Sequence, residues 1–281
     1  MSFARAGFKE CPPSARLLQA LLAEVTGSSS LGPEVLATMV GGDASLRSAL
    51  RQAVVHGGAF HERNRSLREL TLLWGMERVV QVVADSLFAE LVNDEPLNAY
   101  GLRVDAFYAR ALATAIWTRA LAEMQHADPT RAYAIGMLHE IGMIALNRLV
   151  LKVKPHLRIP LNPVHLQVQT ERREVRADFL QVGQQTLEDW AFPAVCANAI
   201  RFQQHPLLHT GSRRYSMLLH LGRLLGRAQL ENGPRAAVDT LPANVLIELE
   251  LRPQSILTEL PKVEEGFVRR LYAASVDSVL A

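Results

Sequence analysis

The chain has 281 residues, 49% of them hydrophobic and 21% charged, with a formal net charge of +2. This composition suits a globular protein with a sizeable core in one or two domains, and so small a net charge argues against nucleic acid as the main partner. Two cysteines, Cys11 and Cys196, lie far apart without a partner motif, which argues against a disulfide framework or a thiolate zinc site.

Residues 1–13 lack a long apolar segment, so no signal peptide is expected. No stretch approaches the roughly 20 uninterrupted apolar residues of a membrane span, and the chain reads as soluble and cytoplasmic. Helical periodicity then runs through the sequence. Ser66 and Glu69 have capping-box spacing ahead of an apolar run. Val79, Val83, Leu87 and Leu91 repeat every fourth residue and define one helix face. Asp128-Pro129 predicts an N-cap followed by proline at the first helical position, and Pro193 predicts a similar start. Phe179, Val182, Thr186 and Trp190 form a further stripe, as do Met217, Leu218, Leu221, Leu224 and Leu225. Residues 243–251, rich in leucine and glutamate, read as helix.

Connections are expected at 27–30, 41–42, 57–65, 93–100, 152–164 and 229–239. Strict period-2 alternation is scarce and no hairpin dipeptide is flanked by it. An all-α bundle of about a dozen helices follows. Its expected division is an N-terminal helical part at 1–100, a helical core at 101–230 and a C-terminal appendage at 231–281, set off by Asn232-Gly233-Pro234.

Phosphate-cradling, dinucleotide-binding and nucleophile-elbow motifs are absent, as is His-Glu-x-x-His. The chemistry-bearing feature is the run from Tyr133 to Leu146. It sets the adjacent ionisable groups His139 and Glu140 inside an apolar helical stretch. Buried polar groups cost free energy unless partnered, so the pair marks a site or the remains of one. Other histidines carry less signal. His56 and His61 are five apart, which is not ligand spacing on a helix face, and His156, His165 and His209 stand alone. Trp74 and Trp190 fall in apolar patterns and are expected in the core. The arginine clusters Arg172-Arg173-Arg176 and Arg213-Arg214 read as solvated helix faces.

The string Leu138-His139-Glu140-Ile141-Gly142 resembles the Leu-His-Asp-Ile-Gly motif of the HD superfamily of metal-dependent phosphohydrolases. It is closer still to the HDOD branch, bacterial signalling modules whose metal site is usually eroded. Residues 43–53, 66–75, 178–206 and 218–227 are similar to further HDOD segments in the same order. The resemblance implies an HD-like (HDOD) helical bundle with N-terminal and C-terminal helical extensions.

The resemblance also implies a ligand set: an early His, the His-Asp pair and a late Asp. By that resemblance the early His falls on Ala109, the pair on His139-Glu140, and the late Asp on Arg223. Methyl groups bind no metal, and a guanidinium repels one. Two further family histidines fall on Phe179 and Gln204, leaving His205. The dyad is therefore expected to be vestigial, with no bound metal, no cofactor and no catalytic residue. Glu140 is expected to pair with Arg110 or Arg223, and Arg110, His205 and Arg223 are the candidate pocket residues. A buried structural pair, a ligand pocket and a metal site all remain open readings.

The expected function is non-catalytic: a regulatory module that binds a protein partner or a small signalling ligand. The alternative is a divergent HD-type phosphohydrolase with an unusual ligand set. A third reading, nucleic-acid binding through the arginine clusters, predicts affinity that falls steeply with salt.

Overall fold

The computed structural model describes residues 8, 10–25, 33–92 and 96–280, with side chains described through 272. The connection expected at 27–30 lies outside the described residues. The chain is 77% helical and has no strand among the described residues. A lone antiparallel bridge joins Leu97 and Leu102.

The N-terminal part comprises α1 (Pro13–Val25), α2 (Pro33–Gly42), α3 (Ala44–His56) and α4 (Leu67–Val92). In α1, Leu17, Leu18, Leu21 and Leu22 are completely buried, each contributing about 1.5–3 kcal/mol by leaving water. Asp43 caps α3 by accepting from the Ser45 and Leu46 amides. Gly41 and Gly42 continue α2, so the joint falls at Asp43 rather than at the glycine pair. The capping box ahead of α4 is reciprocal: the Ser66 amide donates to Glu69 Oε2 at 2.7 Å, and the Glu69 amide to Ser66 Oγ at 3.3 Å. Helix α4 bends at Gly75, where φ is 77° and ψ 156°. The stripe Val79, Val83, Leu87 and Leu91 is buried beyond the bend.

The centre of the molecule is α5 (Val104–Met124). It is buried almost all round from Ala111 to Ala122. It packs against α6 (Pro129–Leu138) on one side and α11 (Arg214–Glu231) on another. Asp128 caps α6, with Pro129 in the first turn. Then follow α7 (Ile141–Val153), α8 (Val164–Val175), α9 (Phe179–Asp189) and α10 (Ala194–Phe202). Pro193 takes the N-cap position of α10, so the helix starts one residue later than expected.

The stretch 229–239 is not a plain connection. Helix α11 runs on to Glu231, and Pro234–Val238 forms the short helix α12. Gly233, at φ 83°, makes the turn between them. Helices α13 (Ala243–Glu248) and α14 (Pro253–Leu280) complete the chain. Helix α14 lies against α5. Its Arg270 is anchored to Asp85, to Gln81 Oε1 at 2.7 Å, and over the Tyr133 ring at 4.9 Å.

The apolar run 129–153 is long and apolar enough to cross a membrane by length and composition, although Arg131, His139, Glu140, Arg148 and Lys152 interrupt it. It is mostly buried inside the bundle and is broken between α6 and α7.

Candidate functional site

His139 and Glu140 do not sit inside one helix. His139 is the C-cap of α6 and Glu140 the N-cap residue of α7, with φ −108° and ψ 17°. The apolar pattern continues across the joint, so periodicity alone could not show the break. Both residues are buried, at 2% and 4% exposure. Two glycines set the geometry. A Cβ on Gly142 would lie 1.9 Å from the Phe179 carbonyl oxygen, so α7 can press onto α9 only with glycine there. A Cβ on Gly222 would lie 2.2 Å from Thr118 Oγ1, and its absence lets α11 bring Arg223 close to α5.

Arg110, from α5, forks onto the Glu140 carboxylate. Its Nε donates to Oε2 at 3.2 Å and its Nη2 donates to Oε1. Of the two expected partners, Arg110 is therefore the one that pairs. Burial pushes the Glu140 carboxyl up, but Arg110, His139 and Arg223 together outweigh it and hold it down at about 2. The same ion pair raises Arg110 above its ordinary value.

His139 Nδ1 meets the Gly136 carbonyl at 2.7 Å, which makes Nδ1 the protonated nitrogen of a neutral ring. Its Nε2 lies 3.8 Å from Glu140 Oε1. Burial lowers its pKa to about 4 despite the neighbouring carboxylate, with Arg223 and Arg110 acting in the same direction. The dyad at neutral pH is thus a neutral imidazole beside an ionised, arginine-clamped carboxylate.

Arg223 is half-buried and reaches neutral acceptors. Its Nη1 lies 3.4 Å from the Gln203 carbonyl oxygen. With the Gln204 amide oriented to satisfy both its ends, the Gln204 oxygen accepts from Nη1 and Nη2 at 3.1 and 2.8 Å. His205 is exposed at the start of a short 3-10 turn, Pro206–Leu208. It joins the site only electrostatically, by facing His220.

The sequence reading missed Gln203 and His220. Gln203 is fully buried and its Nε2 donates to the His139 carbonyl at 2.8 Å, tying α10 to the dyad. His220 Nδ1 contacts the Gln203 carbonyl at 2.7 Å, and burial lowers its pKa to about 4. The signal for Gln203 was one position away, since the family-like pattern drew attention to Gln204 and His205.

A second buried carboxylate, Glu171 on α8, was also missed. It is completely buried and accepts from Tyr100 Oη (3.0 Å), Gln167 Nε2 (3.0 Å) and the Phe179 amide (2.8 Å). Burial raises its pKa to about 7 against these hydrogen bonds, and Asp178 adds to the rise. Asp178 caps α9 and is paired with Arg172 at 2.7 Å and Arg201 at 3.5 Å. The i, i+4 pair Gln167 and Glu171 was the available signal.

The residues present do not fit a divalent metal. Both Glu140 oxygens are covered by Arg110, and no group of three His, Cys, Asp or Glu side chains is placed to hold an ion among the described residues.

The HDOD domain model matches residues 12–206, and the chain belongs to the HDOD family. A candidate phosphohydrolase from Shewanella amazonensis is similar in structure, with TM-score 0.68, 16% identity and 95% of each chain covered. A candidate signal transduction protein from Marinobacter aquaeolei gives TM-score 0.65 and 20% identity, over 96% of this chain and 59% of that one. An HDOD domain protein of unknown function from Geobacter sulfurreducens gives 0.64 and 14%, over 97% and 96%. At these identities the likeness is one of fold. No curated protein matches the sequence.

Proposed function

We propose that this HDOD-family protein is a non-catalytic regulatory module of bacterial signal transduction, working in the cytoplasm by binding a protein partner or a small signalling ligand. One observation carries the reading: Arg110 occupies both oxygens of Glu140, the carboxylate that a metal would need. Displacing the half-buried Arg110 guanidinium from the buried Glu140 carboxylate would break the pair, at a cost of about 3 kcal/mol. The dyad then serves as a joint between α6 and α7 rather than as a ligand set. Fold kinship alone does not give function, so the argument rests on these side chains.

The test is metal content and turnover. Protein purified without chelators should carry far less than one equivalent of iron, manganese or zinc. It should not hydrolyse phosphodiesters when manganese is added. Near-stoichiometric metal that His139→Ala abolishes, together with hydrolysis, would establish the phosphohydrolase instead. Affinity capture from the native organism should recover a specific partner, and its absence under conditions of full expression counts against the module.

A further inference from the structure

Arg223 and Arg110 face the same carboxylate, but only one of them is paired with it. Glu140 gives both oxygens to Arg110. Arg223 has no carboxylate within 4 Å among the described residues, and its contacts are the Gln203 carbonyl and the Gln204 amide oxygen. Arg227 stands behind it, already bound to Glu231 at 2.8 Å. Three guanidiniums therefore share two carboxylates, and the surplus positive charge falls on Arg223.

A half-buried guanidinium served by neutral acceptors alone is under-compensated. Burial accordingly lowers its pKa to about 10, and Arg110 and Arg227 add to the fall while Glu140 opposes it. Arg223, Arg110 and His220 each keep partial solvent exposure.

We infer that Arg223 is the anchor of an oxyanion-binding site at the mouth of the former metal site. Its ligand is a small molecule bearing a phosphate or carboxylate group, held by charge-assisted bonds from the guanidinium. The inference rests on the dyad being a non-metal site, and it names the ligand chemistry that such a site selects. Positive charge now comes from a side chain, so binding needs no metal. The Gln204 amide is the built-in neutral stand-in that the anion displaces. His220 shares the Gln203 carbonyl with Arg223 and reports on occupancy, because an anion beside Arg223 offsets the repulsion that disfavours its protonation.

The experiment titrates the full chain, in EDTA and at constant ionic strength, with inorganic phosphate in one arm and sodium acetate in another, against chloride. Melting temperature and calorimetric binding are read together. In at least one arm the wild type should show saturable binding of one equivalent. A rise in Tm on the order of 2–4 °C at saturation should accompany it. The His220 ring, followed by NMR, should titrate at higher pH in the bound form. Arg223→Gln should lose the response, Arg223→Lys should weaken it several-fold, and the exposed Arg173→Gln should keep it. Should Arg223→Gln fail to fold, the lysine variant and the His220 titration decide.

No saturable binding of either anion, or equal loss in Arg173→Gln, overturns the site. The two failures are distinguishable. Partner capture without anion binding sinks this inference and leaves the module standing. Metal-dependent hydrolysis that His139→Ala abolishes sinks the module and removes the premise of this inference with it.

Discussion

Glu140 and Glu171 are both buried carboxylates at the end or edge of a helix, and their pKa values are shifted in opposite directions. Glu140 meets a guanidinium fork and is held at about 2. Glu171 meets a phenol, an amide side chain and a backbone amide, and is pushed up to about 7. Three neutral hydrogen bonds do not make up for lost hydration of a charge, whereas a bidentate arginine together with His139 and Arg223 does. The His139-Glu140 dyad is the more fully compensated site. The less compensated carboxylate lies on α8, where no motif pointed.

The largest effect should come from cutting the ion pair. Glu140→Ala leaves Arg110 without its carboxylate and should destabilise the fold by about 3 kcal/mol, the lower end for a buried pair because Arg110 keeps some solvent contact. Denaturant unfolding measures it. An unchanged midpoint would falsify the pairing. The double variant Arg110→Met with Glu140→Leu should recover most of that loss, since it removes both charges at once.

Gly142→Ala comes next. It drives a methyl into the Phe179 carbonyl, and the Phe179 amide serves Glu171. One substitution should therefore disturb both sites, at about 1–3 kcal/mol, with the Glu171 titration moving as well. A stable variant with an unmoved Glu171 would show that α7 and α9 can part freely.

The smallest effect is a change in pH dependence. The His139 and His220 pKa values are depressed, so the unfolded chain binds more protons between about 4 and 6.5 and stability falls as pH drops through that window. Glu171 has the opposite sign. Its folded pKa is raised, so its contribution is fully present below about 4.5 and is lost as pH rises through about 7. The two trends offset each other. Glu171→Gln should remove one of them, so Tm should climb more steeply from pH 4.5 to 7 than in the wild type. An identical slope would mean that Glu171 is ionised throughout.

Much of the fold was legible because helix signals are local. The Ser66–Glu69 box, the Asp128-Pro129 start and the Val79 to Leu91 stripe depend on residues at most a few turns apart, and each stands where its spacing put it. The break at His139-Glu140 was hidden because apolar residues continue on both sides of a two-residue joint. The helix Pro234–Val238 was hidden by its own Gly and Pro punctuation, which marks the helix boundaries as readily as a loop.

By itself, the sequence determined the all-helical class and the HDOD kinship, since identity and spacing are properties of the chain. Which guanidinium reaches Glu140, which carboxylate has its pKa raised, and the entry of Gln203 and His220 were decided only by how α5, α9, α10 and α11 close on the α6–α7 joint. Those outcomes turn on ångström-scale approach between segments up to a hundred residues apart, and on the water such contacts exclude.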